Sequence, residues 1–538
     1  MKLFKSFAIV AFAASFLFNC GSSSGVISTP IENIDTLPLK VSELTEAEKQ
    51  HWGHLDLKRD TIPGMSVDRA YDEIIKNKKG STVIVAVIDS GIDIDHEDLQ
   101  GSIWTNTKEI PGNGIDDDNN GYVDDIHGWN FLGDGYNEQL EYVRLLASGD
   151  TSHPRYAEAK AERESEYTKY LGIKTNYEQF LQQITNADDA LQKETKKENY
   201  TKEDVDAIST NNQTLKQYIA IAKYVYSMDF DSLKDAIKDI SEGLEDITDR
   251  LNYNLNVDFR GRKTGDNPDD MVEKFYGNNN VKPIKPSESH GTHVAGIIAA
   301  GRNNGKGANG VANNVKIMSI RAVPNGDEYD KDVALAIRYA ADNGAQIINT
   351  SFGKYYSPHS DWVRDAIVYA ASKDVLIVNA AGNEAADLDT KDVYPNDAIG
   401  TGPEVSDNFI SVGSLDPKYG SGMISSFSNY GKINVDIFAP GGEIYSTYPE
   451  NTYKSIGGTS MASPAVAGIA ALIRSHYPKL TAPQVKKIIM DSGLALTTKV
   501  MIGGDPSNVK PFSDLSKSQR IANAYNALIL AEQTARNL

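Results

Sequence analysis

Three polar residues stand at the edges of apolar segments, and each is of a type that could do chemistry. Asp89 follows the apolar run 83–88 in the string Asp89-Ser90-Gly91. Its carboxylate either works at the mouth of a sheet or caps a turn. His290 opens His290-Gly291-Thr292-His293-Val294-Ala295-Gly296, a helix start whose glycines allow close backbone approach. The positive helix end would favour the neutral imidazole that a general base needs. His293 is expected on the same face, but a third ligand and the glutamate of a zinc-binding helix are absent, which argues against zinc. Ser460 sits in Gly457-Gly458-Thr459-Ser460-Met461-Ala462-Ser463-Pro464, just ahead of a helix apolar on every side. It could cap that helix, yet Thr459 or Ser463 could cap equally well, which frees Ser460 for another role.

A second chemistry is written in residues 113–125. Asp116, Asp118 and Asn120 alternate and are followed by Gly121, the opening of a calcium-loop pattern of hard oxygen donors. Asp116, Asp118, Asn120, the Tyr122 carbonyl and Asp124 or Asp125 are the expected ligands of a structural Ca2+. The closing glutamate of that pattern is missing, since position twelve from Asp116 is His127. An acidic solvated turn is the alternative.

These residues need a scaffold. Runs at 83–88, 315–320, 346–350 and 375–379 are apolar and rich in β-branched residues, as strands buried on both faces are. Helical spacing lies between them, at 332–342 with Asn343-Gly344 as its stop and at 361–372 with Ser360 as its cap. This alternation predicts an α/β fold whose mostly parallel central sheet is sandwiched between helices, with ligands beyond the carboxyl ends of the strands. The chain has 538 residues, 40% hydrophobic and 24% charged, enough to bury a large core. Its net charge of −20 would repel nucleic acid and anionic membrane surfaces.

Asp89, His290 and Ser460, in that order and in those strings, resemble the subtilisin-like (S8) serine protease family. The resemblance covers 54–135 and 263–538 and implies a subtilisin-like three-layer sandwich. It implies that Ser460 attacks the scissile carbonyl, that His290 takes and returns the proton, and that Asp89 orients the imidazole. A neutral serine hydroxyl is a poor nucleophile near pH 7 and needs such a base. Ala380-Ala381-Gly382-Asn383-Glu384 is similar to the family's AAGNE pattern, which makes the Asn383 side chain an oxyanion-hole donor together with the serine N–H. Asn349-Thr350-Ser351-Phe352-Gly353 is similar to the segment that pairs with an extended substrate, and Ala380, Ala381 and Gly382 are the implied facing wall. Phe352 stands where the family usually has leucine. By the same resemblance a second cation site joins Asp98 to Asn303-Asn304-Gly305.

Residues 136–262 break the strand–helix rhythm. They are rich in Glu, Lys, Asp, Gln and Tyr, and their helical spacing predicts an inserted hairpin or small bundle, with a coiled-coil dimerisation arm as the rival. The insertion is expected at the rim of the active-site face. At the other end, a short positive stretch, an apolar run from Phe7 to Phe18 and then Asn19-Cys20-Gly21 predict a signal peptide over 1–20. Leu17-Phe18-Asn19-Cys20 resembles a bacterial lipobox, so Cys20 is the expected lipidated residue and 21–53 a polar tether. No long inhibitory prodomain is expected between Cys20 and the catalytic core. The expected protein is a calcium-stabilised serine endopeptidase with protein or peptide substrates, exported and lipid-anchored in the cell envelope at the outer membrane or cell surface, otherwise periplasmic or secreted. The rivals are a catalytically silent envelope scaffold and a peptide-ligating or self-processing enzyme.

Overall fold

The structure is a computed structural model that describes Lys40 and residues 42–538. Cys20, the expected signal peptide and most of the expected tether lie outside the described residues. Thirteen strands follow in chain order: β1 (Val83–Asp89), β2 (Gly128–Asn130), β3 (Val315–Arg321), β4 (Ile347–Thr350), β5 (Leu376–Ala380), β6 (Phe409–Leu415), β7 (Ile437–Pro440), β8 (Ile444–Tyr448), β9 (Thr452–Ile456), β10 (Leu494–Ala495), β11 (Lys499–Ile502), β12 (Asp505–Pro511) and β13 (Arg520–Ile521). Nine form one sheet in the order β10-β13-β7-β6-β5-β4-β1-β3-β2. Within it β10 and β13 are antiparallel, and the other neighbours run parallel.

The sheet is buried on both sides because its strands are apolar at successive positions. Val83, Val85 and Val87 of β1 face one core, and Ala86 and Ile88 face the other. The helices are α1 (Glu46–His51), α2 (Leu57–Asp60), α3 (Val67–Ala70), α4 (Glu141–Ser148), α5 (Tyr156–Thr195), α6 (Lys202–Asp206), α7 (Gln213–Ser227), α8 (Leu233–Asp249), α9 (His290–Ala299), α10 (Asp330–Asp342), α11 (Ser360–Ser372), α12 (Thr459–His476), α13 (Ala482–Ser492) and α14 (Ala524–Ala535). α9, α12, α13 and α14 pack on the first face and α10 and α11 on the second, giving three layers. The largely apolar α12 runs through the first core, with every residue from Met461 to Ser475 buried. Among the described residues no helix is long and apolar enough to cross a membrane.

Two stretches differ in detail from the sequence reading. Residues 46–51, read as tether without fold, form α1. Its start is fixed by a reciprocal pair of hydrogen bonds between Thr45 and Glu48. Next to it Trp52 is 1% exposed and its indole N–H donates to the Gly442 carbonyl at 3.0 Å, so this segment is part of the body. α11 begins at Ser360 itself, whose hydroxyl accepts from Arg364 and does not cap the helix.

Between β2 and α9 the chain leaves the sheet and forms α4 to α8. α5 has 40 residues, about 60 Å of helix. Its C-terminal part makes a small core with α7 and α8 through Ile184, Ala187, Leu191, Ala222, Val225, Leu233 and Ala236. A separate cluster at its base joins Leu140, Tyr142, Val143, Ala159, Ile247, Leu251 and Leu255 to Tyr356 of the sheet domain.

Candidate active site

Strand register brings the site together. β1 and β4 are parallel neighbours with Ile88 opposite Thr350. The next residues, Asp89 and Ser351, therefore lie side by side at the carboxyl edge, about 4.8 Å apart across the ladder.

His290 reaches Asp89 from the first turn of α9. Its Nδ1 is 2.8 Å from Oδ1 and 2.9 Å from Oδ2 of Asp89. That approach needs a glycine next door: a Cβ on Gly291 would lie 2.4 Å from the Gly91 carbonyl oxygen and 3.1 Å from Asp89 Cβ. The carboxylate is 1% exposed and also accepts from Ser90 N at 2.7 Å. The imidazole is 38% exposed, and its Nε2 has no hydrogen-bond partner among the described residues. Burial pulls its pKa down, but the charge and hydrogen bond of Asp89 outweigh that, and the net shift is upward. Asp89 thus acts in the opposite sense to the helix end, holding Nδ1 as the donor and leaving Nε2 as the basic atom when neutral.

Ser460 is fixed from the other side. Pro464 lacks the N–H that would bond the Ser460 carbonyl within α12. That carbonyl accepts from the Ser351 hydroxyl instead, at 2.8 Å. The Ser460 hydroxyl in turn donates to the Ser351 carbonyl at 2.9 Å, and not to His290. Asn349 and Ser463 complete the support: Ser463 Oγ donates to Asn349 Oδ1 at 2.8 Å, and Asn349 Nδ2 donates to Ser351 Oγ at 2.8 Å. Ser463 is committed to Asn349, and Thr459 to Asn383 and Gly382, so neither caps α12.

Asn383 follows β5 after a turn that only glycine fits. Gly382 has φ +101°, and a Cβ there would lie 2.4 Å from Asn429 Nδ2. The Asn383 side-chain oxygen accepts from Thr459 N at 2.9 Å and from Thr459 Oγ1 at 3.0 Å. Its Nδ2 is left to point elsewhere. A Cβ built on Gly458 would lie 3.6 Å from Ser460 N and 3.7 Å from Asn383 Nδ2. Ser460 N and Asn383 Nδ2 thus both lie near one point beside Gly458, and Ser460 N is a first-turn amide with no backbone acceptor among the described residues. Thr459, fully buried and also receiving Gly382 N at 3.0 Å, is the clamp that aims Asn383. The sequence reading saw it only as a possible cap.

Ser351, Phe352 and Gly353 extend β4 past the sheet. Ser351 is 2% exposed and committed to Ser460. The backbone groups of Phe352 and Gly353 have no partner among the described residues, so an edge is free for an added strand. Of the expected facing wall, Ala380 and Ala381 are buried, and Gly382 is the member partly open to solvent. His293 does not join the site: it is fully buried with Nε2 on the Lys454 carbonyl at 3.1 Å.

Two of the expected ligands of the acidic loop, Asp116 and Asp118, lie together, and Glu109 joins them. Carboxylate oxygens of Glu109, Asp116 and Asp118 lie within 4.8 Å of one another. Asp124 turns away, its carboxylate accepting from Gly112 N at 2.8 Å, Asn113 N at 3.3 Å and Gly114 N at 2.9 Å. The Asn120 side-chain oxygen accepts from Tyr122 N at 2.8 Å, and its amide donates to Asp125 at 3.0 Å. The Tyr122 ring is buried against Trp129, Phe131 and Tyr339. Glu109 carries no signal in the sequence, standing outside the alternating string. Asp98 does meet the 303–305 loop, accepting from Asn304 Nδ2 at 2.6 Å, and also from Ala308 N at 3.1 Å.

Residues 80–510, more than half of the chain, match the model of the Subtilase family. Subtilisin DY of Bacillus licheniformis is 37% identical over 222 residues, covering 41% of this chain and 76% of that protein. Thermitase of Thermoactinomyces vulgaris is 39% identical over 215 residues, covering 39% of this chain and 71% of the other. A thermophilic serine proteinase of Bacillus sp. (strain AK1) is 44% identical over 189 residues, which span 35% of this chain and 43% of that relative. With a family match over the segments that hold Asp89, His290 and Ser460, the chain belongs to the subtilase family of subtilisin-like serine endopeptidases.

Proposed function

We propose that the chain hydrolyses peptide bonds of protein or peptide substrates through an acyl-enzyme, with Ser460 as nucleophile, His290 as general base and acid, Asp89 as its orienting partner and Asn383 as oxyanion donor. The observation that carries this reading is the pair of contacts at adjacent strand ends, His290 on Asp89 and Ser460 on Ser351. A substrate strand laid along Ser351–Gly353 offers its own N–H to the Ser351 carbonyl. That displaces the Ser460 hydroxyl, which turns toward His290 Nε2 by a change of χ1. Nε2 takes the proton as Oγ attacks, and the imidazolium faces Asp89. The developing oxyanion sits between Ser460 N and Asn383 Nδ2. The imidazolium then protonates the leaving amine, and water repeats the sequence on the acyl group.

Glu109, Asp116 and Asp118 are all-oxygen donors that suit Ca2+, whose role there would be to hold the loop. The N-terminal segment supports export and anchoring through lipidated Cys20. Labelling with a fluorophosphonate probe tests the chemistry. Adduct mass on the peptide containing Ser460, lost in Ser460→Ala, is the expected result. No adduct on folded, calcium-supplied protein would leave a silent scaffold.

A further inference from the structure

The three residues that follow the free edge of Gly353 are each held by the helical insertion. Lys354 is 2% exposed, and its ammonium lies 2.8 Å from Glu141 of α4, 3.0 Å from Asp330 and 2.8 Å from the Glu328 carbonyl. The Tyr355 carbonyl accepts from Arg155 Nη1 at 2.7 Å. The Tyr356 ring lies under the same guanidinium at 3.5 Å, and its hydroxyl donates to Glu162 of α5 at 3.1 Å. The insertion also grips the segment after β3. Asn325 N donates to the Tyr136 carbonyl at 2.8 Å, and Arg144 donates to the carbonyls of Asp327 at 2.9 Å and Glu328 at 3.1 Å.

We infer that the base of the insertion sets the pose of the substrate-pairing strand, with Glu141 and Arg155 as positioning residues. This rests on the peptidase reading and gives the insertion a role in it. The physical ground is charge burial. Lys354 has no water to turn to, so its backbone goes where Glu141 and Asp330 hold its ammonium. Arg155 fixes the next peptide unit by a hydrogen bond and the next ring by stacking. None of these groups contacts Asp89, His290, Ser460 or Asn383, so the arm acts on recognition of an extended peptide and not on proton transfer.

The test uses the full chain with Arg155→Ala, Arg155→Lys and Glu141→Gln. Four quantities are read: KM and kcat on a peptide long enough to pair with Ser351–Gly353, the rate of fluorophosphonate labelling, and amide exchange across 350–356. The expected result for Arg155→Ala is a KM raised about tenfold with kcat and labelling within about twofold. Faster exchange confined to 350–356 and partial rescue by Arg155→Lys are also expected. Glu141→Gln should follow Arg155→Ala in direction. The inference is overturned by unchanged KM and exchange in Arg155→Ala and Glu141→Gln, or by labelling and peptide turnover falling together. Absence of labelling in the parent protein would instead remove the peptidase reading, and the exchange data would still judge the coupling of arm to strand.

Discussion

Replacing Asn383 separates turnover from stability in a way the geometry makes specific. In Asn383→Leu the pocket loses one of its two N–H donors. The scale for the same donor in subtilisin itself, a borrowed figure, is about 100- to 1,000-fold in kcat, or about 2.7–4 kcal/mol. The variant also strands Thr459 N and Oγ1, which lose the oxygen they meet at 2.9 and 3.0 Å. At about 1 kcal/mol for each partly buried hydrogen bond, stability should fall by about 1–2 kcal/mol. Asn383→Asp keeps an oxygen for Thr459 and replaces the donor by an acceptor. It should therefore retain stability while losing at least as much turnover. Steady-state kinetics on a chromogenic peptide and urea unfolding read the two effects apart. KM should change little in either variant, because the donor matters when charge builds on the carbonyl oxygen. A kcat loss under about tenfold, a loss expressed in KM, or an active Asn383→Asp enzyme would refute the reasoning.

The pH profile should follow His290. Its pKa is raised by Asp89, so kcat/KM should fall as pH drops through a value above 6.5, where the ring becomes charged and cannot accept the serine proton. Asp89→Asn should move that limb to lower pH and cut kcat by about 10⁴-fold. Chelation should lower the melting temperature. Calcium at about 100 times its Kd adds about 2.7 kcal/mol, and Glu109→Gln should shrink the calcium-dependent shift in calorimetry. His293 should make the fold acid-sensitive. Burial holds its pKa down to about 4, its carbonyl contact with Lys454 acting the other way. The unfolded ring binds its proton first, so stability is whole above pH 6.5 and is lost as pH falls toward 4, by about 3 kcal/mol. Urea unfolding at pH 7, 5 and 4 should show this slope, and His293→Gln should flatten it.

Strands whose side chains are apolar at every position were legible because burial on both faces leaves no other composition, as in Val83–Ile88. The strings around Asp89, His290, Ser460 and Asn383 were legible by their resemblance to a family, while the contacts of these residues were not. Which oxygen the Ser460 hydroxyl meets depends on Pro464 emptying a helix bond and on Ser351 standing opposite, a pairing of residues 109 positions apart. α10 starts at Asp330, two residues before its apolar spacing begins. Asp330 and Asp332 are buried by partners from distant segments, Lys354 and Arg262. Tertiary charge pairs of this kind leave no local period. The approach of Glu109 to Asp116 and Asp118 was invisible for the same reason, as was the direction of Asp124, whose carboxylate, at a positive φ of 54°, lies toward 112–114. The fold of 46–51 was readable in principle from Thr45 and Glu48, but its attachment through Trp52 to Gly442 spans the chain.

The hydrogen bond from the Ser351 hydroxyl to the Ser460 carbonyl, which a substrate strand would leave in place, has a mechanical consequence. Any small tilt of the strand tip carries the first turn of α12 with it, so the attacking atom and the ledge for the peptide drift as one rigid piece. On the inference drawn above, alterations in the outlying helical arm would retune which chains are cut, while the distance an attacking oxygen must cover would stay the same.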